Sequence, residues 1–187
     1  MMTTKEAKEI YLDSDCSYFI MCTNHYNRYI QYRQLELPKE QEELWRKEKL
    51  QTLTAEIRRT GDYRIFLRLY DIASESRNYE NLRILLNALK CIKQPLPPDE
   101  SVTVAETILG RKSPKVRSGL IYWAYDMNQK AIAIILMDQA LELIYHPNIT
   151  SIETEKRIQK ERRLCKKIIR ELKLNFSKRY LKHYYDF

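Results

Sequence analysis

Apolar residues recur three and four positions apart along nearly the whole chain, which is the period of an α-helix. This pattern predicts helices over residues 4–12, 17–34, 39–60, 63–75, 79–93, 100–109, 114–127 and 129–145, with a final helix that opens near residue 150. Only 3 glycines and 6 prolines occur in 187 residues, so few positions suit the tight turns of a strand-rich fold. We therefore expect an all-α protein, either a multi-helix bundle or a short α-solenoid of helix pairs.

Capping residues separate the predicted helices. Gly61 stands where a helix C-terminal glycine belongs, and Asp62 follows it as an N-cap. The other expected N-terminal signals are Asn78, Asp99, Ser113 before Pro114, Asn128, and a capping box formed by Thr150 and Glu153. Repeated caps ahead of apolar runs predict helix pairs that must stack on their neighbours to bury an apolar face.

The expected core follows from the same pattern. In the helix over residues 39–60, the predicted buried edge is Leu44, Leu50, Leu53 and Ile57. Across residues 62–147, one continuous core is predicted from Ile65, Leu69, Leu82, Leu86, Leu89, Ile121 and Ile135. We expect one domain over residues 1–187, with tyrosine-rich helices at 1–37, the helix-pair core at 38–147 and a basic helix at 148–187.

The segment that begins Ser113-Pro114-Lys115-Val116-Arg117 resembles the start of a HEAT-type repeat helix. A second helix with similar features lies 34 residues earlier, where Leu82-Arg83 corresponds to Val116-Arg117. The resemblance covers about residues 62–147 and implies a HEAT-like α-helical repeat architecture of stacked helix pairs, without a specific family. An irregular helical bundle is the alternative that this pattern leaves open.

Positive charge is concentrated at the C-terminal end. Residues 151–187 contain 12 Lys/Arg against 5 Asp/Glu, which accounts for +7 of the chain's net +8. On a helix, five of these cations share a narrow sector, opposite an apolar stripe of Cys165, Ile168, Ile169, Leu172 and Phe176. The five are Lys156, Lys160, Arg163, Lys167 and Arg170. Such a face suits nucleic acid, an acidic protein partner or, least of the three, an anionic membrane surface. A solvated face balanced by Glu155, Glu161 and Glu171 is an equally simple interpretation.

Tyrosine is the second unusual feature, with 14 residues in the chain. Tyr26, Tyr29 and Tyr32 are spaced at i, i+3 and i+6 beside Arg28 and Arg33. These residues can stack unpaired bases, anchor a protein interface, or fill a packing seam between helices.

Cys16, Cys22 and His25 lie close together in the sequence, but their spacing lacks the paired ligands of structural zinc. We expect no metal and no cofactor. The chain opens without an apolar leader and has no apolar run long enough to cross a membrane, so we expect a cytoplasmic protein with reduced cysteines.

Three functions remain open, and catalysis is the least favoured because no nucleotide-binding, metalloprotease or nucleophile motif is found. The first is a non-catalytic intracellular interaction or adaptor protein that binds a macromolecule through a helical surface. The second is a nucleic-acid-binding protein that uses the basic C-terminal helix. The third is a small helical enzyme acting on a phosphate-bearing substrate.

Overall fold

The computed structural model describes residues 2–110, 119–145 and 151–174, and these residues contain ten α-helices. No β-strand occurs in those three ranges, so the all-α prediction is confirmed. The chain divides into two compact units, Met1–Ile92 and Lys93–Phe187. The boundary falls inside the segment that the sequence analysis treats as one core, and the single domain remains a prediction.

The first unit is organised around one long helix. Its described helices are α1 (Thr4–Asp13), α2 (Tyr18–Asn24), α3 (Tyr26–Arg33), α4 (Lys39–Thr60), α5 (Tyr63–Ser74) and α6 (Tyr79–Cys91). Helices α1, α5 and α6 pack against α4, and α2 packs against both α1 and α3. The core is formed by buried apolar side chains, which include Leu50, Leu53, Ile57, Ile65, Phe66, Leu69, Ile72, Leu82, Leu85 and Leu89.

Several helix boundaries of this unit were predicted correctly. Gly61 has a φ of 67° and ends α4 in the left-handed conformation that favours glycine. The Asp62 side chain accepts a hydrogen bond from the Arg64 N–H at 2.9 Å and starts α5. The Asn78 side chain does the same for the Asn81 N–H at 2.8 Å and starts α6.

The single aromatic helix predicted over residues 17–34 is wrong. The chain breaks at His25, which ends α2 and begins α3 with a φ of −141° and a ψ of 50°. An unbroken helix would hold Tyr18 and Tyr32 roughly 21 Å apart, whereas their ring centroids are 6.1 Å apart. The break therefore lets α3 fold back along α2, so that Tyr32 is buried against Tyr11.

An ionic cluster ties the turn after α1 to two other helices. Asp15 accepts hydrogen bonds from Nε and Nη2 of Arg68, at 2.9 and 2.7 Å, and lies 3.3 Å from Nζ of Lys49. Lys49 belongs to α4 and Arg68 to α5. Asp15 and Cys16 both have positive φ angles, of 49° and 58°, which turn the chain sharply enough for the carboxylate to reach both cations.

The second unit contains a short, mostly apolar helix between longer ones. Its described helices are α7 (Pro98–Leu109), α8 (Leu120–Asp126), α9 (Lys130–Leu143) and α10 (Ile152–Leu172). Residues 120–124 of α8 are all buried, whereas Tyr125 is half-buried and Asp126 is exposed at the C-terminal end. Helix α7 contacts α8, α9 and α10, and α9 contacts α8 and α10. The start of α8 lies so close to the end of α7 that a Cβ atom on Gly119 would be 2.4 Å from the carbonyl carbon of Leu109.

Three of the predicted caps in this unit are corrected. Pro97 is the N-cap of α7, and Asp99 instead lies in its first turn. Asn128 has a φ of 59° and belongs to the turn before α9, whose N-cap is Gln129. Helix α10 is capped by Ser151, whose side chain accepts from the Thr154 N–H at 3.4 Å. The expected caps Ser113 and Thr150, and the Ser113–Arg117 start of the HEAT-like resemblance, lie outside the described residues.

Most of the predicted core residues are buried, but three are not. Leu44 is 60% exposed and Ile135 is 48% exposed, while Leu86 is half-buried. At 100° per residue, Leu44 and Ile135 lie roughly 160–170° around α4 and α9 from the centres of the buried stripes, so they face away from the core. Leu86 lies about 100° from the centre of the buried stripe of α6, at its edge. The prediction therefore included two residues on the outer faces of their helices and one at the edge of a stripe.

Candidate anion-binding face of α10

Helix α10 is attached to its unit by an apolar stripe and by a polar anchor. The stripe consists of Ile158, Cys165, Ile168 and Leu172, all of which are buried. Of the other residues predicted for it, Ile169 is half-buried and Phe176 lies outside the described residues. The helix therefore presents one fixed side to the core and the other to solvent.

The polar anchor joins the first two turns of α10 to α7. The Thr154 hydroxyl donates to Oδ1 of Asp99 at 2.6 Å. The Arg157 guanidinium donates from Nε and Nη2 to the two carboxylate oxygens of Glu106, at 3.3 and 3.1 Å, and from Nη2 to the Thr103 hydroxyl at 3.1 Å. Paired donors of this kind fix both the position and the rotation of the helix.

The docking of α10 leaves the five predicted cations on the exposed side of the helix. Lys156, Lys160, Arg163, Lys167 and Arg170 are all exposed. We call these five residues the basic face of α10. They fall within a sector of about 80° and extend roughly 21 Å along the helix axis. Among the residues that the structure describes, none of the five forms an ion pair, in contrast to Arg157.

One acidic residue that was expected to balance this face lies instead on the buried side of α10. Glu161 is only 2% exposed, and its Oε2 atom has no hydrogen-bond partner within the described part of the chain. Burial, together with the nearby charge of Glu106, raises the pKa of Glu161 to about 7. Glu155 and Glu171 are both exposed. Glu155 lies about 100° around the helix from the centre of the basic face, whereas Glu171 lies only about 60° from it, beside Lys167 and Arg170.

A shallow open depression lies along the C-terminal half of the basic face. It is lined by Arg163, Lys166, Lys167, Arg170 and Glu171. Glu171 accepts a hydrogen bond from the Tyr122 hydroxyl at 3.1 Å, which links this end of α10 to α8. Lys166 also lines this depression but was not predicted from sequence, because it lies about 80° around the helix from the centre of the basic face.

The second predicted set, Tyr26, Tyr29, Tyr32, Arg28 and Arg33, is not brought together as one site. Tyr26, Arg28 and Arg33 are exposed, Tyr29 is half-buried, and Tyr32 is only 2% exposed.

Tyr32 belongs instead to a buried aromatic cluster. Its ring stacks on Tyr11 with centroids 5.9 Å apart, and Trp45 lies 6.0 Å from Tyr11 on another side. The hydroxyls of Tyr32 and Tyr18 both donate to Glu42, at 2.7 and 2.6 Å. Burial, followed by the hydrogen bond to this carboxylate, raises the pKa of Tyr18 to about 12. A packing seam was one of the three roles expected of Tyr32. Its partners Tyr11, Tyr18, Trp45 and Glu42 were not identified from sequence, because the cluster is assembled from four different helices.

Cys16, Cys22 and His25, which lie close together in the sequence, differ in their exposure to solvent. Cys16 is buried, and desolvation raises the pKa of its thiol to about 12. Cys22 is half-buried on α2, and His25 is exposed at the junction of α2 and α3. In residues 2–110, 119–145 and 151–174, no group of three or more His, Cys, Asp or Glu side chains is arranged to hold a metal ion. The expected absence of metal remains a prediction.

Comparison with known proteins found no relative of this chain. No family model, no curated protein and no solved structure matches the chain. None of the helices in the described ranges has the length and apolar character needed to cross a membrane.

Proposed function

We propose that the protein is a non-catalytic binding protein that recognises an anionic macromolecule through the basic face of α10. The observation that supports this proposal is that the cations of α10 fall into two groups, one engaged in packing and one exposed to solvent. Arg157 is paired with Glu106 and fixes the helix to α7, whereas the five residues of the basic face are exposed and form no ion pair with any described residue. The charge of Arg157 therefore serves to attach the helix, whereas the charges of the basic face are available to a ligand.

Nucleic acid is the partner that this face fits best. Protein interfaces usually bury an apolar core inside a polar rim. The one large apolar side chain exposed on α10 is Ile152, which lies at the first residue of the helix, a full turn before Lys156. A basic face without exposed apolar residues suits a phosphate backbone, because binding is then driven by the release of the counterions condensed on the nucleic acid. An acidic protein surface is the other partner that such a stripe would attract.

Measurement of binding across a range of salt concentrations tests the proposal. Fluorescence anisotropy with labelled single-stranded and double-stranded oligonucleotides should show saturable binding at about 50 mM salt and steep weakening by 200 mM. The triple variant Lys160→Gln, Arg163→Gln, Lys167→Gln should bind more weakly. Its salt slope should fall by up to about 2–3, since each lost phosphate contact removes about 0.7–0.9.

A matched control removes the same charge elsewhere. Lys5, Lys47 and Lys90 are exposed on helices of the first unit, so changing all three to Gln lowers the net charge equally. This control variant should keep most of the affinity and the original slope. If both variants weaken binding equally, the attraction comes from overall charge and not from α10.

The remaining outcomes separate the two partners. Absence of measurable binding to any oligonucleotide at about 50 mM salt contradicts the nucleic-acid proposal, because even non-specific affinity should be visible there. Binding to polyglutamate under the same conditions, lost in the α10 triple variant, would instead identify an acidic protein as the partner.

A further inference from the structure

The two sides of the basic face of α10 differ in charge. At 100° per residue, Glu153 and Glu171 both lie about 60° around the helix on one side of the centre of the face. On the other side, Gln159 lies at about 60° and Lys166 at about 80°. Glu153, Glu171 and Gln159 are exposed, and Lys166 is half-buried. We call Glu153 and Glu171 the acidic flank, and Gln159 and Lys166 the open flank.

The acidic flank is also the side on which α10 is joined to neighbouring helices. Arg157 lies about 100° from the centre of the basic face on this side, and it pairs with Glu106 of α7. Glu171 itself accepts a hydrogen bond from Tyr122 of α8 at 3.1 Å. On the open side, the first carboxylate of α10 is that of Glu155, about 100° from the centre. A polyanion therefore meets carboxylates and neighbouring helices sooner on the acidic flank than on the open flank.

Charge on both flanks determines how a helix can sit on a duplex. The major groove of B-DNA is about 12 Å wide and an α-helix with its side chains measures about 10–12 Å, so an inserted helix has phosphates beside both flanks. Insertion of α10 would bring Glu153, in the first turn, and Glu171, in the last, towards one phosphate wall. Like charges repel across such an interface, so the acidic flank opposes insertion into the groove.

We infer that α10 lies along one phosphate backbone, with its open flank towards the strand and its acidic flank away from it, and binds nucleic acid without reading the base sequence. This inference rests on the proposed function. The basic face extends roughly 21 Å along the helix axis and so can follow several phosphates in succession, and Lys166 adds a contact from the open flank. Contacts to the backbone fix position but carry no sequence information, because bases are read inside the grooves.

Reading of bases by the same helix fits the observations less well. Lys and Arg can contact guanine, and the Gln159 amide can pair with adenine, but these contacts are made inside the major groove. They therefore require the insertion that Glu153 and Glu171 oppose.

Selection from a library of randomised duplexes tests the inference directly. The full-length chain would be used at about 50 mM salt, where electrostatic binding is visible. The selected pool should contain no consensus sequence and should bind within about threefold of the starting pool, since even one well-read base pair changes affinity by about fivefold or more.

Two variants on the open flank test which side of α10 faces the strand. Gln159→Lys adds a cation there and should tighten duplex binding at about 50 mM salt at least threefold, with a salt slope steeper by about 0.9. Lys166→Gln should weaken binding and reduce the slope by about the same amount. If α10 reads bases instead, loss of the Gln159 amide should weaken binding.

A matched control changes the acidic flank. Glu153→Gln raises the net charge by the same amount as Gln159→Lys, but it should leave the salt slope unchanged and change affinity by less than about twofold, because no phosphate lies beside it. Thermal melts should show that these variants remain folded, since Gln159 and Glu153 are exposed and Lys166 is half-buried.

The outcomes separate this inference from the proposed function. A consensus sequence that binds about tenfold tighter than the starting pool, or equal strengthening by Gln159→Lys and Glu153→Gln, overturns the inference and leaves nucleic-acid binding intact. Absence of binding to every oligonucleotide at about 50 mM salt overturns the proposed function and the inference with it.

Discussion

Glu161 has the least favourable environment of the acidic residues on α10. Its carboxyl group is buried, Oε2 has no hydrogen-bond partner in the described part of the chain, and its pKa is raised to about 7. The folded state therefore binds more protons than the unfolded state between about pH 4.5 and 7, so stability declines as the pH rises through that range and levels off above it. At alkaline pH the ionised Glu161 carboxylate therefore lowers the stability of the folded protein.

Glu161→Gln should therefore stabilise the protein at pH 8 by about 1–3 kcal/mol, because the neutral amide avoids burying a charge. At pH 5 the difference should largely vanish, since Glu161 is then protonated. Urea unfolding followed by circular dichroism at both pH values measures this. Glu155→Gln, an exposed change on the same helix, should show little effect at either pH. A destabilised Glu161→Gln variant at pH 8 would mean that the ionised carboxylate makes a favourable contact.

Asp15 shows the opposite behaviour. Burial alone would raise its pKa, but the hydrogen bonds and charge of Arg68, with the charge of Lys49, lower the pKa below its ordinary value. The resulting stability is present above the unfolded pKa, near 3.9, and is lost as the pH falls through the lower folded value.

Asp15→Asn should reduce the free energy of unfolding at pH 7 by about 1–3 kcal/mol, because two charge-assisted hydrogen bonds from Arg68 are lost. The difference from the unmodified protein should narrow below about pH 4. Asp13→Asn, an exposed change at the end of α1, serves as the control and should cost little. Equal effects of the two changes would show that the cluster with Arg68 and Lys49 contributes nothing specific.

At the scale of a helix, α10 separates cations that hold it in place from cations that face solvent. The triple change of Lys160, Arg163 and Lys167 to Gln should alter stability by no more than about 0.5 kcal/mol per site, and the relief of like-charge repulsion can offset even that. Arg157→Gln should cost about 1–3 kcal/mol, because it leaves Glu106 without its paired donor. Thermal or urea unfolding of both variants measures this difference in stability. A marked loss of stability in the triple variant would contradict the prediction.

At the scale of the whole molecule, the chain divides into two compact units, and the basic face of α10 belongs to the second, Lys93–Phe187. The charge substitutions on α10 and the control substitutions of Lys5, Lys47 and Lys90 therefore change different units. The HEAT-like arrangement of helix pairs remains a prediction, and its defining Ser113–Arg117 segment lies outside the described residues.

The sequence by itself determined the fold class, most helix boundaries and the basic face of α10. Helical periodicity and capping are local properties, which is why α4 was predicted with the correct ends and why Gly61, Asp62 and Asn78 were identified as caps. The five exposed cations of α10 were found for the same reason, since residues three and four apart on one helix share a face whatever surrounds them.

Only the tertiary structure decided which polar residues are buried and where α2 and α3 separate. The break at His25 brings Tyr32 of α3 against Tyr11 of α1, and Glu161 is buried because α10 docks against its unit. The Asp15 cluster joins residues that are 53 positions apart in the chain. Side chains so distant in sequence leave no periodic signal, because their meeting results from the packing of several helices at once.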